Sequence, residues 1–224
     1  MRDATPQTIY LSDYTPFGFE VTSVDLTFDL EPAKTRVTSR IAFAPKAEAT
    51  DRTFFLHGEN LTLLSAKIDG TPVSPDVTPE GLTCDVPDQP FVWEAEVEID
   101  PQGNTALEGL YMSNGMYCTQ CEAEGFRKIT YYPDRPDVMS VFTVRINGPH
   151  PVLLSNGNPV SASDGHAEWH DPWPKPAYLF ALVAGDLIAH PGRFTTRSGK
   201  EVELNLYVRP GDEGKCAFGM QALK

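Results

Sequence analysis

No apolar run in this 224-residue chain is long enough to cross a bilayer as a helix, and the opening MRDATPQTIYLSDY lacks the apolar centre of a secretory leader. A cytoplasmic protein is the expectation. Cysteine is sparse: Cys84, Cys118, Cys121 and Cys216 are too few and too dispersed to staple a chain of this size, so reduced thiols are expected. Positive charge is also short, with 18 Lys and Arg against 31 Asp and Glu for a net charge of −13. With no basic run, neither nucleic acid nor an anionic membrane surface is a suitable partner, whereas cationic ligands are. There is no Gly-x-Ser-x-Gly elbow, no internal repeat, no low-complexity linker and no alternation of strand with helix.

What is present points to short strands. Twenty Pro and 17 Gly are scattered rather than bunched, which favours many turns over long helices, and 41% apolar residues suffice for a core. VDLTFDL places Val24, Leu26, Phe28 and Leu30 on one face, and RVTSRIAF does the same with Val37, Ser39, Ile41 and Phe43. This period of two, across the turn EPAKT, predicts an antiparallel hairpin. FVWEAEVEID sends Phe91, Trp93, Ala95, Val97 and Ile99 inward, and TTRSGKEVELNLYV alternates Val202, Leu204, Leu206 and Val208. Asp69-Gly70 and Asn156-Gly157 are turn dipeptides, because Gly tolerates positive φ. KPAYLFALVAGDL reads as a strand buried on both faces. The expected fold is all-β, an antiparallel sandwich or saddle.

The last residues differ. GDEGKCAFGMQALK spaces Ala217, Met220 and Leu223 as a helix would, then stops without a cap. Residues 1–212 are expected to form the β domain, and residues 213–224 the beginning of a further domain in a longer polypeptide.

Several patterns could carry chemistry. Cys118-Thr119-Gln120-Cys121 has the spacing of a zinc or redox pair, but four ligands cannot be assembled from it and its context is not helical. Packed thiols are the reading. His166 and His170 flank Glu168, yet DPWPKP follows at once and forbids a helix; on a strand the two lie about 13 Å apart, too far for one metal. No catalytic or metal residue is assigned. In TQCEAEG, extended geometry would put Gln120, Glu122 and Glu124 on one face, with carboxylates about 7 Å apart. That face suits an ammonium group or a cation, or else the acids are solvated and paired with Arg127 and Arg135.

Four segments, NTALEGLYMSNGMYCTQCEAEGFRKITYYPDRPDV, LLSNGNPV, DPWPKPAYLFALVAGD and TTRSGKEVELNLYV, resemble in order the N-terminal domain of the bacterial aminopeptidase N family of zinc metallopeptidases. The resemblance covers essentially the whole chain. It implies an all-β saddle preceding a thermolysin-like catalytic domain, and peptides with a free N-terminus as substrates. By the same resemblance Gln120 contacts the substrate's first residue and Glu122 accepts a hydrogen bond from its α-ammonium, while Glu124 receives no substrate role. Such a carboxylate, fixed relative to the scissile bond, recognises a peptide only where no residue precedes the first. Tyr131, Tyr132, Asp134, Arg135 and Asp137 are expected to lock the loop. The family's His-Glu-x-x-His motif and its Gly-x-Met-Glu-Asn motif are absent from these residues. Zinc is therefore expected in the full-length enzyme and not in this portion, which alone is expected to be inactive. The alternative is a stand-alone β-sandwich module that binds cationic peptides or sugars.

Overall fold

The computed structural model describes residue 8, residues 10–49 and residues 51–224. The first seven residues, part of the opening read above as lacking a leader, lie outside the described residues. Strands follow in chain order as β1 (Phe19–Asp29), β2 (Thr35–Pro45), β3 (Phe55–His57), β4 (Thr62–Ile68), β5 (Thr71–Pro72), β6 (Asp76–Thr78), β7 (Gly81–Thr83) and β8 (Phe91–Ile99). They continue as β9 (Gly109–Ser113), β10 (Met116–Gln120), β11 (Met139–Asn147), β12 (Val152–Ser155), β13 (Asn158–Ser163) and β14 (His166–Pro176). The last are β15 (Leu182–Gly185), β16 (Ile188–Thr195) and β17 (Glu201–Val208), followed by the helix α1 (Cys216–Leu223).

An eight-stranded sheet in the order β13-β14-β11-β1-β2-β8-β4-β5 forms one layer. Its inner face is the set the alternation predicts: Val24, Leu26, Phe28, Val37, Ile41, Phe43, Phe91, Trp93 and Val97 are all buried. Against it lie a four-stranded sheet, β12-β15-β10-β9, and a three-stranded sheet, β3-β7-β6. Aromatic rings join the layers. Phe54, just before β3, meets Phe43 at 5.0 Å, Phe91 at 5.5 Å and Trp93 at 5.7 Å between ring centres. Farther along, Phe180 stacks on Phe28 at 5.9 Å and meets Phe126 edge-on at 5.2 Å. Such pairs add to the burial of large apolar area.

Two local expectations, a wholly antiparallel sheet and a single buried strand at KPAYLFALVAGDL, are corrected, and two others gain detail. The partner of β1 on its other edge is β11, and that pairing is parallel, Ser23 opposite Val141 through Asp29 opposite Asn147. The two strands are far apart in sequence, so no hairpin dictates their direction. Asp69-Gly70 does turn β4 into β5, with φ of 50° and 76°. Asn156-Gly157, in contrast, carries the chain from β12, paired with β15, to β13, paired with β14 in the other layer. KPAYLFALVAGDL is not one buried strand: Ala177–Leu179 form a 3-10 turn, Phe180 drops into the ring cluster, and only Leu182–Gly185 pair. Finally, α1 buries Cys216 and Met220, four apart, while Ala217 and Leu223 are exposed. The helix packs against β17, which forms a two-stranded sheet with β16.

Truncating a ring of the inner cluster should therefore cost far more than truncating an exposed one. Phe91→Ala is expected to lose about 3–5 kcal/mol, read as a lower urea midpoint. Trp173, 76% exposed, is expected to tolerate Ala within about 0.5 kcal/mol. Equal losses in the two variants would contradict this layer assignment.

Candidate functional site

Strand β10 ends at Gln120, and the next residues do not continue it. Residues 122–125 turn, with the Gly125 N–H donating to the Cys121 carbonyl at 2.9 Å, and a 3-10 turn follows at Phe126–Lys128. The strand alternation that would align Gln120, Glu122 and Glu124 therefore stops one residue too soon, and the expected common face is replaced by a compact turn. Gln120 remains tied to it, since its Nε2 donates to the Glu122 carbonyl at 3.2 Å.

Backbone approaches backbone closely beneath this turn. A Cβ on Gly125 would stand 2.3 Å from the Gln120 carbonyl oxygen, 2.9 Å from Cys121 Cα and 3.0 Å from the Gly109 nitrogen. None of these atoms can swing aside, so only glycine fits. Gly109, at φ +74°, pairs with Gln120 across β9 and β10. Asn104 secures the far side by donating through Nδ2 to the Glu108 carbonyl at 2.8 Å and the Leu110 carbonyl at 2.9 Å.

Arg127 anchors the turn to the body. Its backbone N–H and Nε both donate to Asp134 Oδ2 at 3.1 Å, and Nη2 donates to the Asp134 carbonyl at 3.1 Å. Nη1 lies 3.5 Å from Glu124 and 3.8 Å from Glu59. Asp134 is only 4% exposed; burial pushes its carboxyl pKa up, and the Arg127 bonds pull the other way. Lys128 meets Glu108 at 2.6 Å and Glu59 at 3.9 Å. The expected locking residues fall into place around this centre: Tyr131 and Tyr132 are buried, and Arg135 grips Asp137, which also accepts from the Tyr14 hydroxyl at 2.9 Å.

Glu59, Ala106, Glu108, Glu122, Ala123, Glu124, Gly125 and Lys128 line a cleft of about 370 Å³. Its acids are not equivalent. Glu59, Glu108 and Glu124 are engaged by Arg127 and Lys128, whereas the Glu122 carboxylate has no ion-pair or hydrogen-bond partner among the described residues. An exposed, unneutralised carboxylate held on a braced turn in an acidic cleft can accept charge-assisted hydrogen bonds from an ammonium group. Glu59 and Glu108 were not singled out from the sequence, because they reach the cleft only through tertiary pairing, and no local motif marks them.

The other candidate motifs resolve into structure. His166 and His170 both sit on β14, and each is hydrogen-bonded at Nδ1, His166 to Asn147 and His170 to Thr143. Cys118 and Cys121 are free thiols, and burial pushes both pKa values up, which disfavours thiolate chemistry. Among the described residues no three His, Cys, Asp or Glu side chains converge so as to hold a metal ion. The side chains described do not offer a donor set that fits zinc. Nor is any helix of the described residues long and apolar enough to cross a membrane.

Residues 20–179 match the Peptidase M1 N-terminal domain. Aminopeptidase N of Caulobacter vibrioides is 50% identical over 234 aligned positions, covering 100% of this chain and 27% of the relative. The crystal structure of aminopeptidase A from Legionella pneumophila, in complex with aspartic acid, superposes with a TM-score of 0.88 at 33% identity, over 95% of this chain and 27% of that one. An M1 zinc metallopeptidase from Deinococcus radiodurans, bound to a Tyr-Ser-Ala substrate, shares the fold at a TM-score of 0.72 and 16% identity, over 87% of this chain and 48% of that one. The chain thus spans about a quarter of the length of its curated relative. By the match to more than half of its residues and by this identity, the chain belongs to the Peptidase M1 N-terminal domain family.

Proposed function

We propose that this chain is the substrate-anchoring β domain of a zinc-dependent aminopeptidase, a hydrolase that removes the first residue from peptides with a free N-terminus. The observation that carries the reading is the Glu122 carboxylate, unpartnered among the described residues on a turn whose neighbouring acids are already neutralised. In this role Glu122 accepts from the substrate's α-ammonium and Gln120, already bracing the turn, contacts the first residue. A peptide extended at its N-terminus carries no ammonium there and would bury the carboxylate unpaired. The catalytic domain, with its zinc, is a partner in cis. The boundary with it lies nearer β16 than residue 212, because the main core ends at Ala184 and α1 packs on the β16–β17 hairpin. Four free thiols accord with a reducing compartment, the cytoplasm.

The decisive measurement is made in the complete enzyme with an alanyl arylamide. Glu122→Gln keeps the shape and removes the charge; losing one side of a desolvated charge pair costs about 2–5 kcal/mol, or roughly 30- to several-thousand-fold in kcat/KM. Gln120→Ala, which removes a neutral contact, should cost less. Zinc content is expected to be unchanged in both. Activity of Glu122→Gln within about threefold of the parent would return this glutamate to the solvated surface. The 224-residue chain alone is expected neither to cleave the arylamide nor to retain zinc through dialysis, and one equivalent of bound metal would overturn that expectation.

A further inference from the structure

His57 ends β3 beside the segment that follows the Glu122 turn. Its backbone exchanges both hydrogen bonds with Tyr132, at 2.9 and 3.1 Å, and its Nδ1 accepts from the Asp134 N–H at 3.2 Å. Glu59, two residues on, donates its N–H to the Arg127 carbonyl at 3.0 Å. Residues 57–59 thus run as a clamp along residues 127–134, and the imidazole sits where Asp134 begins to grip Arg127. Nδ1 can accept this bond only while it carries no proton. We propose that His57 is a positioning residue that seats the Arg127–Asp134 pair, and through Glu124 the turn bearing Glu122, and that protonation at Nδ1 unseats this turn in mild acid.

The chemistry is local. A proton on Nδ1 would face the Asp134 N–H donor to donor and place a second cation beside Arg127. The groups around the ring are Arg127 and Arg135, which oppose that charge, and Glu124 and the Tyr132 backbone, which favour it; the Phe55 ring meets it edge-on at 5.1 Å. Burial first, and Arg127 second, hold the imidazole below its usual 6.5. The sign follows: a group whose folded pKa is depressed stabilises the fold fully above its ordinary range, and that stabilisation drains away as pH falls below it. Proton binding by the opened segment then favours release of the turn.

The intact protein tests this through hydrogen exchange of residues 121–135, corrected for intrinsic rates at each pH. Between about pH 7.5 and about pH 5, the parent is expected to lose roughly threefold or more in protection. His57→Asn keeps an uncharged acceptor where Nδ1 stands and should lose much less over the same interval; His57→Ala should be poorly protected at both values. Equal acid losses in the parent and His57→Asn, or full protection in His57→Ala, would overturn the inference. The kinetic consequence rests on the reading of Glu122 given above: in the complete enzyme, the acid limb of kcat/KM should shift to lower pH in His57→Asn. If exchange responds as expected and that limb does not move, the His57 clamp stands and the anchoring role of Glu122 is what fails.

Discussion

Everything near the cleft depends on where the Arg127 guanidinium points. It is a planar fork of five donors that cannot lose its proton, and here it is 10% exposed at the side chain with Asp134 almost wholly buried beside it. Its Nε joins the backbone N–H of the same residue on one Asp134 carboxylate oxygen, Nη2 reaches the Asp134 carbonyl, and Nη1 faces Glu59 and Glu124. A lysine could offer the charge but not this geometry. Removing Arg127 would leave the buried Asp134 carboxylate without its cation, a loss of about 3–5 kcal/mol. The pair therefore acts less as a source of stability than as a fixture: it sets the direction of the 3-10 turn and the height of residues 122–125 above β10.

The sheet layers give that fixture something rigid to stand on. The Gly109–Gly125 approach presses the turn against the edge of β9, and the ring of Phe126 reaches through to Tyr132, Phe142 and Phe180 in the core. The turn is thus rooted in the core although its three solvent-facing residues, Glu122, Ala123 and Glu124, are exposed. Acidity in the cleft is sorted in the same way. Glu59, Glu108 and Glu124 pair with the two cations and hold the frame, while Glu122 makes no such pair among the described residues.

Strands were legible where one face alone is buried, as at Leu26, Phe28, Val37, Ile41 and Trp93, because a period of two is a local signal that burial does not disturb. For Gln120, Glu122 and Glu124 the sequence suggested one extended face, and the structure has a turn after Gln120. Alternation was extended through Cys121 into a turn that is closed by Gly125 and by contacts from Gly109, a residue elsewhere in the chain. Asn156-Gly157 made a turn and not a hairpin, since the dipeptide specifies local φ and says nothing of which layer each flanking segment joins. Glu59 and His57 carried no mark in the sequence at all. Their roles exist only once β3 lies beside residues 127–134, which is a property of tertiary pairing.

The parallel seam between β1 and β11 also sets an order of events during synthesis. One edge of β1 finds β2 as soon as the first hairpin emerges, but the other edge has no native partner until Met139–Asn147 have left the ribosome. Until then a long edge strand with Leu26 and Phe28 on its inner face stays open to incorrect pairing, and the ring-lined second layer has half a floor to close upon. Joining the two strands closes a loop that contains β2 through β10 and the Glu122 turn itself. The Glu122 turn therefore lies inside the loop closed by the most non-local strand pairing among the described residues, the one whose closure costs the most chain entropy.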